Sequence, residues 1–285
     1  MNRPTSASRA PGVAFDDVGI HDPRLEFVDG VAAIDMYTLR RAAETIAAMG
    51  CSVQLPTIAQ VVLPAVFDEL CHVHATPDFT VTATIATGVM GWYNEEAVTR
   101  GVFVDYTGVS RYGVVFQGAI VHVIGGTPVF MRPAFLGNGQ TVYVWCAELL
   151  LDTVSGLKLY ELYSAARTLA ENLGQGRWVV CREVVIPAQR VRWERYMSEI
   201  VAANPMLRGA VQKALVDLTE KGVQVTMETS LEMGRVPIPT VERWVLGERG
   251  PVIVWLTADT STEPFAVLAT TCDAWLAPHT AFAPT

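Results

Sequence analysis

The sequence predicts an α+β fold with large mixed or antiparallel β-sheets and a reduced set of helices. First, runs with the alternation of half-buried strands outnumber helical ones; Val81, Ala83 and Ile85, for example, alternate with threonines. Second, the strands do not alternate regularly with helices, which disfavours a doubly wound α/β fold. Third, the 285 residues are 51% hydrophobic, which is enough apolar material for a sizeable core.

Helical periodicity is confined to a few segments. It predicts helices over 37–49 and 57–70, and Pro64 should kink or split the second because proline lacks the backbone donor. A third helix is expected to begin at Ser155, whose side chain would cap it. A short fourth helix is predicted over 193–202.

The other apolar runs have the period of β-strands, and turn-forming residues separate them. The predicted strands cover 79–85, 101–106, 112–124, 127–132, 141–148, 178–186, 211–229, 240–246, 251–257 and 265–271.

The N-terminal residues 1–26 show no hydrophobic period and are expected to form a flexible leader before a single domain over 27–285. Residues 1–12 lack the apolar segment of a secretory signal, and no apolar run has the length of a membrane span. These features predict a soluble, cytoplasmic protein whose five cysteines are reduced. The net charge of −8, without clustered basic residues, argues against a nucleic-acid partner.

The stretch 210–229 joins an apolar strand to the sequence Glu220, Lys221, Gly222. It resembles the strand and hinge that precede the reactive-centre loop of serpins, the serine protease inhibitor family. Other segments resemble serpin motifs in the order expected for that family. They are RPAFLGN at 132–138, EVVIP at 183–187 and PVIVWL at 251–256.

The resemblance implies a shortened, divergent serpin-like domain, because the chain lacks room for several helices of a full serpin. It also implies a reactive loop over 222–238, with a scissile region at Arg235, Val236 and Pro237. Cleavage would follow either Val236 or Arg235, and the partner would then be a serine protease. In serpins the cleaved loop enters the main sheet, and small side chains after the hinge permit that insertion.

The residues after the hinge are not small in this chain. Val223, Val225 and Met227 alternate with polar residues, as in an amphipathic strand. We therefore expect this segment to be a permanent strand of the sheet, and burial of the three side chains would contribute roughly 5 kcal/mol. The alternative expectation is a loop exposed to solvent.

Aromatic residues with neighbouring carboxylates provide the candidate ligand-binding residues. Trp92, Tyr93, Asp105 and Tyr106 suit an apolar ligand or acid–base chemistry, and no catalytic residue can be assigned. The sequence CHVH at 71–74 contains metal-ligand types, but no partner cluster has the spacing of a metal site. We expect neither a metal nor a cofactor.

Together these features predict a non-inhibitory serpin-fold protein that is reused inside the cell to bind a small apolar molecule. Cyclisation or isomerisation of that molecule, guided by shape, would need few polar catalysts and no cofactor. The alternative prediction is a serpin-type protease inhibitor. In neither case is the protein a protease or a membrane protein.

Overall fold

Most of the regular secondary structure in the computed structural model is β-strand. The structure describes residues 11–76, 80–87, 89–136, 138–224, 240–259 and 261–278. The helices are α1 (Met36–Ala48), α2 (Ala65–Leu70), α3 (Leu151–Val154), α4 (Leu159–Glu171) and α5 (Ser198–Ala203).

Seventeen strands are present in the described part of the chain. They are β1 (Gly12–Phe15), β2 (Val31–Ile34), β3 (Ser52–Leu55), β4 (Cys71–Ala75), β5 (Val81–Ile85), β6 (Val89–Trp92), β7 (Val98–Val104), β8 (Ser110–Ile124), β9 (Thr127–Phe135), β10 (Thr141–Glu148), β11 (Arg177–Pro187), β12 (Gln189–Tyr196), β13 (Val211–Thr219), β14 (Gly222–Gln224), β15 (Thr240–Val245), β16 (Val252–Ala258) and β17 (Pro264–Thr270).

Thirteen of these strands belong to one large sheet. Its main path is β12-β13-β14-β6-β9-β10-β16-β17-β2, and β8 links β9 to a branch that contains β7, β11 and β15. The pairs in this sheet are antiparallel except β11 with β15, which are parallel. Two small sheets, the parallel pair β1-β3 and the antiparallel pair β4-β5, complete the fold. The predicted α+β class with large mixed or antiparallel sheets is therefore confirmed.

The two ends of the sheet path pack face to face. One apolar cluster joins β12 and β13 at one end to β17 and β2 at the other, and its members are Val191, Trp193, Val216, Leu268, Val31 and Ala33. Because strands at opposite ends of a path touch, the sheet must fold over on itself. The main apolar core contains residues of α1 and α4, such as Met36 and Leu162, together with residues of the sheet.

The junction between β2 and α1 is fixed by Asp35 and Gln212. The Asp35 carboxylate caps the helix, accepting from the backbone N and the hydroxyl of Thr38 at 2.9 and 2.7 Å. The Gln212 side chain on β13 bridges the backbone N–H and C=O of Asp35. Burial raises the pKa of Asp35 to about 6.

Several sequence-based expectations need correction. Residues 193–202 were predicted as a helix, but Val191 and Trp193 point into the core from β12 and a short helix follows only at α5. Ser155 does not begin α4, which starts at Leu159 behind Lys158. Part of the expected leader is structured, because β1 pairs with β3.

The predicted interruption at Pro64 is confirmed. A 3-10 turn covers Thr57–Ala59, and α2 begins directly after Pro64, which occupies its N-cap position. All five cysteines are free thiols. Within the described ranges, no helix is both long and apolar enough to cross a membrane.

Candidate functional site

The candidate site lies where β13 turns back into β14. Glu220 and Lys221 form the turn between the two strands. β14 then runs antiparallel to both neighbours, with Val223 opposite Leu218 of β13 and Met90 of β6. The start of the segment that resembles a serpin reactive loop is therefore a central strand of the sheet.

Gly222 allows this turn because it has no side chain. Its φ of +139° is a conformation that residues with a Cβ rarely adopt. A Cβ at this position would also overlap the backbone carbonyl of Met90. Only glycine lets β14 approach β6 this closely.

Val223 faces the interior and is 0% exposed. It belongs to the main apolar core, together with Met90 and Leu218. Full burial of a valine side chain contributes about 2 kcal/mol, so the first inward residue after Gly222 stabilises the inserted position.

The Glu220 carboxylate is held by two side chains that precede it far back in the chain. Arg100 on β7 donates from Nη2 to the Glu220 Oε1 at 2.6 Å, and the Tyr112 hydroxyl on β8 donates to the other carboxylate oxygen. Arg100 also lies over the Tyr112 ring, 5.1 Å from its centre. Burial would raise the pKa of Glu220, but the bonds from Tyr112 and Arg100 outweigh it and lower that pKa below its ordinary value of 4.5.

Trp92 connects β6 to the same turn. Its indole Nε1 donates to the carbonyl oxygen of Thr219 at 2.8 Å, and its ring meets Phe116 edge-on with 4.9 Å between centres. Phe116 in turn lies 4.8 Å from Phe130. The tryptophan is buried at 2% exposure, so it supports the turn from within the core.

Tyr93 follows Trp92 and is partly exposed. The guanidinium of Arg132 lies 5.7 Å from the centre of the Tyr93 ring and donates from Nη2 to the backbone carbonyl oxygen of Tyr93. The ring of Phe135 also packs against the Tyr93 ring, with 5.7 Å between the ring centres. An aromatic ring and a cation are thus available together beside the turn.

Asp105 closes the turn between β7 and β8. It accepts from the backbone and hydroxyl of Thr107 and from Val109 N, and its other oxygen pairs with Arg111 Nε at 2.7 Å. Burial opposes ionisation, but the bonds from Arg111 and Thr107 dominate and lower the pKa of Asp105. This carboxylate is engaged in shaping the loop.

Tyr106 packs edge-on against Trp275, with 5.7 Å between ring centres, and its hydroxyl accepts from Cys272 N at 3.3 Å. Asp105 and Tyr106 lie at one end of β7, whereas Trp92 and Tyr93 precede its other end. The structure does not bring the two predicted pairs together.

The remaining predicted site residues fall elsewhere. Val225, Met227, Arg235, Val236 and Pro237 lie outside the described residues. His72 and His74 are exposed on β4, and no group of three or more His, Cys, Asp or Glu within the described ranges is arranged to hold a metal ion.

Sequence reasoning missed Arg100, Tyr112 and Arg132. Arg100 and Tyr112 lie 120 and 108 residues before Glu220, so no local spacing relates them to the hinge. Arg132 stands inside a motif that resembles a serpin turn and carries no ligand signature of its own. Only the folded arrangement shows that these side chains share a site.

No family model and no curated protein matches the chain. Among solved structures, it is similar to the thermophilic serpin tengpin in the native state, with 10% identity and a TM-score of 0.43 over 86% of this chain and 75% of tengpin. It is also similar to mouse protein Z-dependent protease inhibitor, with 11% identity and a TM-score of 0.40 over 66% of this chain and 53% of that one. It is similar as well to a serpin from the trematode Schistosoma haematobium, with 11% identity and a TM-score of 0.40 over 66% of this chain and 54% of that one.

The match spans about half the length of the mouse and trematode proteins. At identities of 10–12% these are similarities of fold alone, and distant ones.

Proposed function

We propose that this chain is a non-inhibitory scaffold with a serpin-like fold, in which the segment after Gly222 is a permanent strand. The position of Val223 is the observation that supports this most directly, because it is 0% exposed and paired on both sides. An inhibitory loop must lie outside the sheet before cleavage and enter it afterwards. A segment that is already inserted has little free energy left to gain from that change.

The register between β13 and β14 indicates how residues 225–229 would continue. Residues 225–229 lie outside the described residues; if the pairing continued in the same register, Val225 would be opposite Val216 and Met227 opposite Ala214. Val216 is buried at 8% exposure. Side chains alternate along a strand, so Val225 and Met227 would point inward with Val223.

We also propose that the scaffold binds a small apolar molecule and cyclises or isomerises it. The support is the group of rings beside the hinge, where Trp92 and Phe116 are buried and Tyr93 is partly exposed. The Tyr93 ring is the part of this group that solvent reaches, and an apolar ligand would lie against it.

The first test is incubation with trypsin-like and chymotrypsin-like serine proteases, followed by denaturing gels and thermal melting. We expect no covalent complex, and no rise in melting temperature after any cleavage near Arg235. An Arg235→Ala variant is the control that identifies cleavage at that bond. A stable complex, or cleavage that strongly raises the melting temperature, would contradict the proposal.

A cross-linking test examines the register directly. If the pairing continued past Gln224, Thr226 would be opposite Leu215, and opposite residues of antiparallel strands are close enough for a disulfide. Thr226→Cys with Leu215→Cys should therefore cross-link in the intact chain under mild oxidant. Thr226→Cys with Val211→Cys is the mismatched control and should not.

A serpin-type inhibitor with its reactive loop over 222–238 is the second candidate function. The sequence Glu220, Lys221, Gly222 favours it through its resemblance to a serpin hinge. Covalent capture of a serine protease that depends on Arg235 would establish this alternative.

A further inference from the structure

Arg132 carries a charge for which the described part of the chain supplies no anionic partner. It lies on β9 in the row of side chains that includes Phe130 and Ala134. Its guanidinium is 5.7 Å from the Tyr93 ring centre and 5.8 Å from that of Phe116. No described carboxylate lies within ion-pair distance of it.

The Nε donor of Arg132 is buried and has no hydrogen-bond partner among the described residues. The Nη2 atom donates one hydrogen bond to the Tyr93 carbonyl oxygen, so the guanidinium is anchored on one side only. Burying a charged donor without an acceptor is costly, and native proteins rarely retain such a donor without a purpose. Burial lowers the pKa of Arg132, although the group stays protonated at neutral pH.

The neighbouring cation, Arg100, differs from Arg132 because it has a carboxylate partner. Arg100 is neutralised by Glu220 at 2.6 Å, and this pair also engages Tyr112. Lys221, in the turn itself, is exposed to solvent, whereas Arg132 is a partly buried cation beside the hinge with no described carboxylate as partner. Cation–π contacts with the rings of Tyr93 and Phe116 stabilise the guanidinium without cancelling its charge.

We propose that Arg132 binds the carboxylate of an otherwise apolar molecule, whose body lies against the ring of Tyr93. Arg132 and Tyr93 are both partly exposed, so a ligand can reach them from solvent. A planar guanidinium matches a carboxylate in geometry, and such a ligand would supply the anionic partner that the described residues do not. This inference rests on the proposed small-molecule binding and specifies the chemical class of the ligand.

The test uses probes that separate charge from apolar body. Decanoate and 1-decanol share the same chain length, and acetate carries the charge without the chain. Binding to the full chain is followed by calorimetry and tryptophan fluorescence, with decanoate kept below its micelle-forming concentration. The variants are Arg132→Gln and, as a matched control, Arg182→Gln, which alters an exposed arginine on β11.

We expect the wild-type chain to bind decanoate at least about tenfold more tightly than 1-decanol, with acetate weaker than both. Arg132→Gln should remove this preference and leave 1-decanol binding within about twofold. Arg182→Gln should leave both affinities unchanged. The wild-type comparison of the two ten-carbon probes stands even if Arg132→Gln fails to fold.

Three outcomes would overturn the inference, and they can be told apart. Equal affinity for decanoate and 1-decanol would reject the carboxylate while keeping apolar binding. A decanoate preference that survives in folded Arg132→Gln would reject Arg132 as its source. No binding of either probe would reject this inference together with the proposed small-molecule binding, whereas the protease assay tests the non-inhibitory proposal independently.

Discussion

The indole of Trp92 donates a hydrogen bond to the carbonyl oxygen of Thr219, 2.8 Å away, and so ties the end of β6 to the residue that ends β13. These two strands are the neighbours between which β14 lies. The bond fixes the distance between β6 and β13 at the end where β14 begins with Gly222.

Gly222→Ala should destabilise the protein by about 2 kcal/mol or more, since the new Cβ is disfavoured by the φ of +139° and meets the Met90 carbonyl. Urea unfolding measures the effect. Gly156→Ala is the control, because a Cβ there meets nothing within 4 Å. Equal stability of the two variants would show that β14 does not approach β6 in solution.

Val223→Ala should cost about 2 kcal/mol, because a fully buried side chain loses two methyl groups from the core. Val89→Ala changes the same residue type on the adjacent strand at a site that is 52% exposed, and should cost less than about 0.5 kcal/mol. Both values come from denaturant titration. Similar small costs would indicate that Val223 is exposed to solvent.

Glu220→Gln should lower stability at neutral pH, where the carboxylate accepts from Arg100 and Tyr112. The pKa of Glu220 is lowered in the folded state, so its contribution is present above the ordinary value of 4.5 and is lost as the pH falls through the folded pKa. The stability difference between wild type and variant should therefore shrink in acid. A difference that is constant from pH 7 to pH 3 would contradict this assignment.

Asp35 should change the pH dependence of stability in the direction opposite to that of Glu220. Its folded pKa is raised from 3.8 to about 6, so the stabilisation linked to its protonated form is fully present below 3.8 and is lost as the pH rises through about 6. Asp35→Asn keeps a helix cap and should remove this part of the pH dependence. Melting temperatures at pH 4, 5, 6 and 7 measure it, with exposed Glu26→Gln as the control.

Regular strands between clear turn residues were predictable from sequence. β10 has the predicted limits 141–148, because its residues form a continuous apolar run that follows the glycine-rich turn before it. β2 was missed, since all four of its residues are buried and it shows no alternation. The helix predicted over 193–202 wrongly included the last four residues of β12, which pairs with β13 over its whole length.

The candidate site was only partly predictable. Glu220, Lys221, Gly222 and Val223 were identified because they are consecutive, follow an apolar strand and resemble a serpin hinge. Arg132 and Tyr112 were not, because tertiary contacts between distant strands, and no local pattern, bring them to the hinge.

β14 has a role in the cooperativity of the whole sheet. Among the described strands, β14 is the sole strand that connects β12 and β13 to the other ten members of the sheet. The strand ladder therefore passes from one part to the other through three residues, and outside it an isolated bridge joins Gln189 of β12 to Trp275. If β14 were lost, amide exchange should reveal two cooperative units, held together by packing of β12 and β13 against β17 and β2.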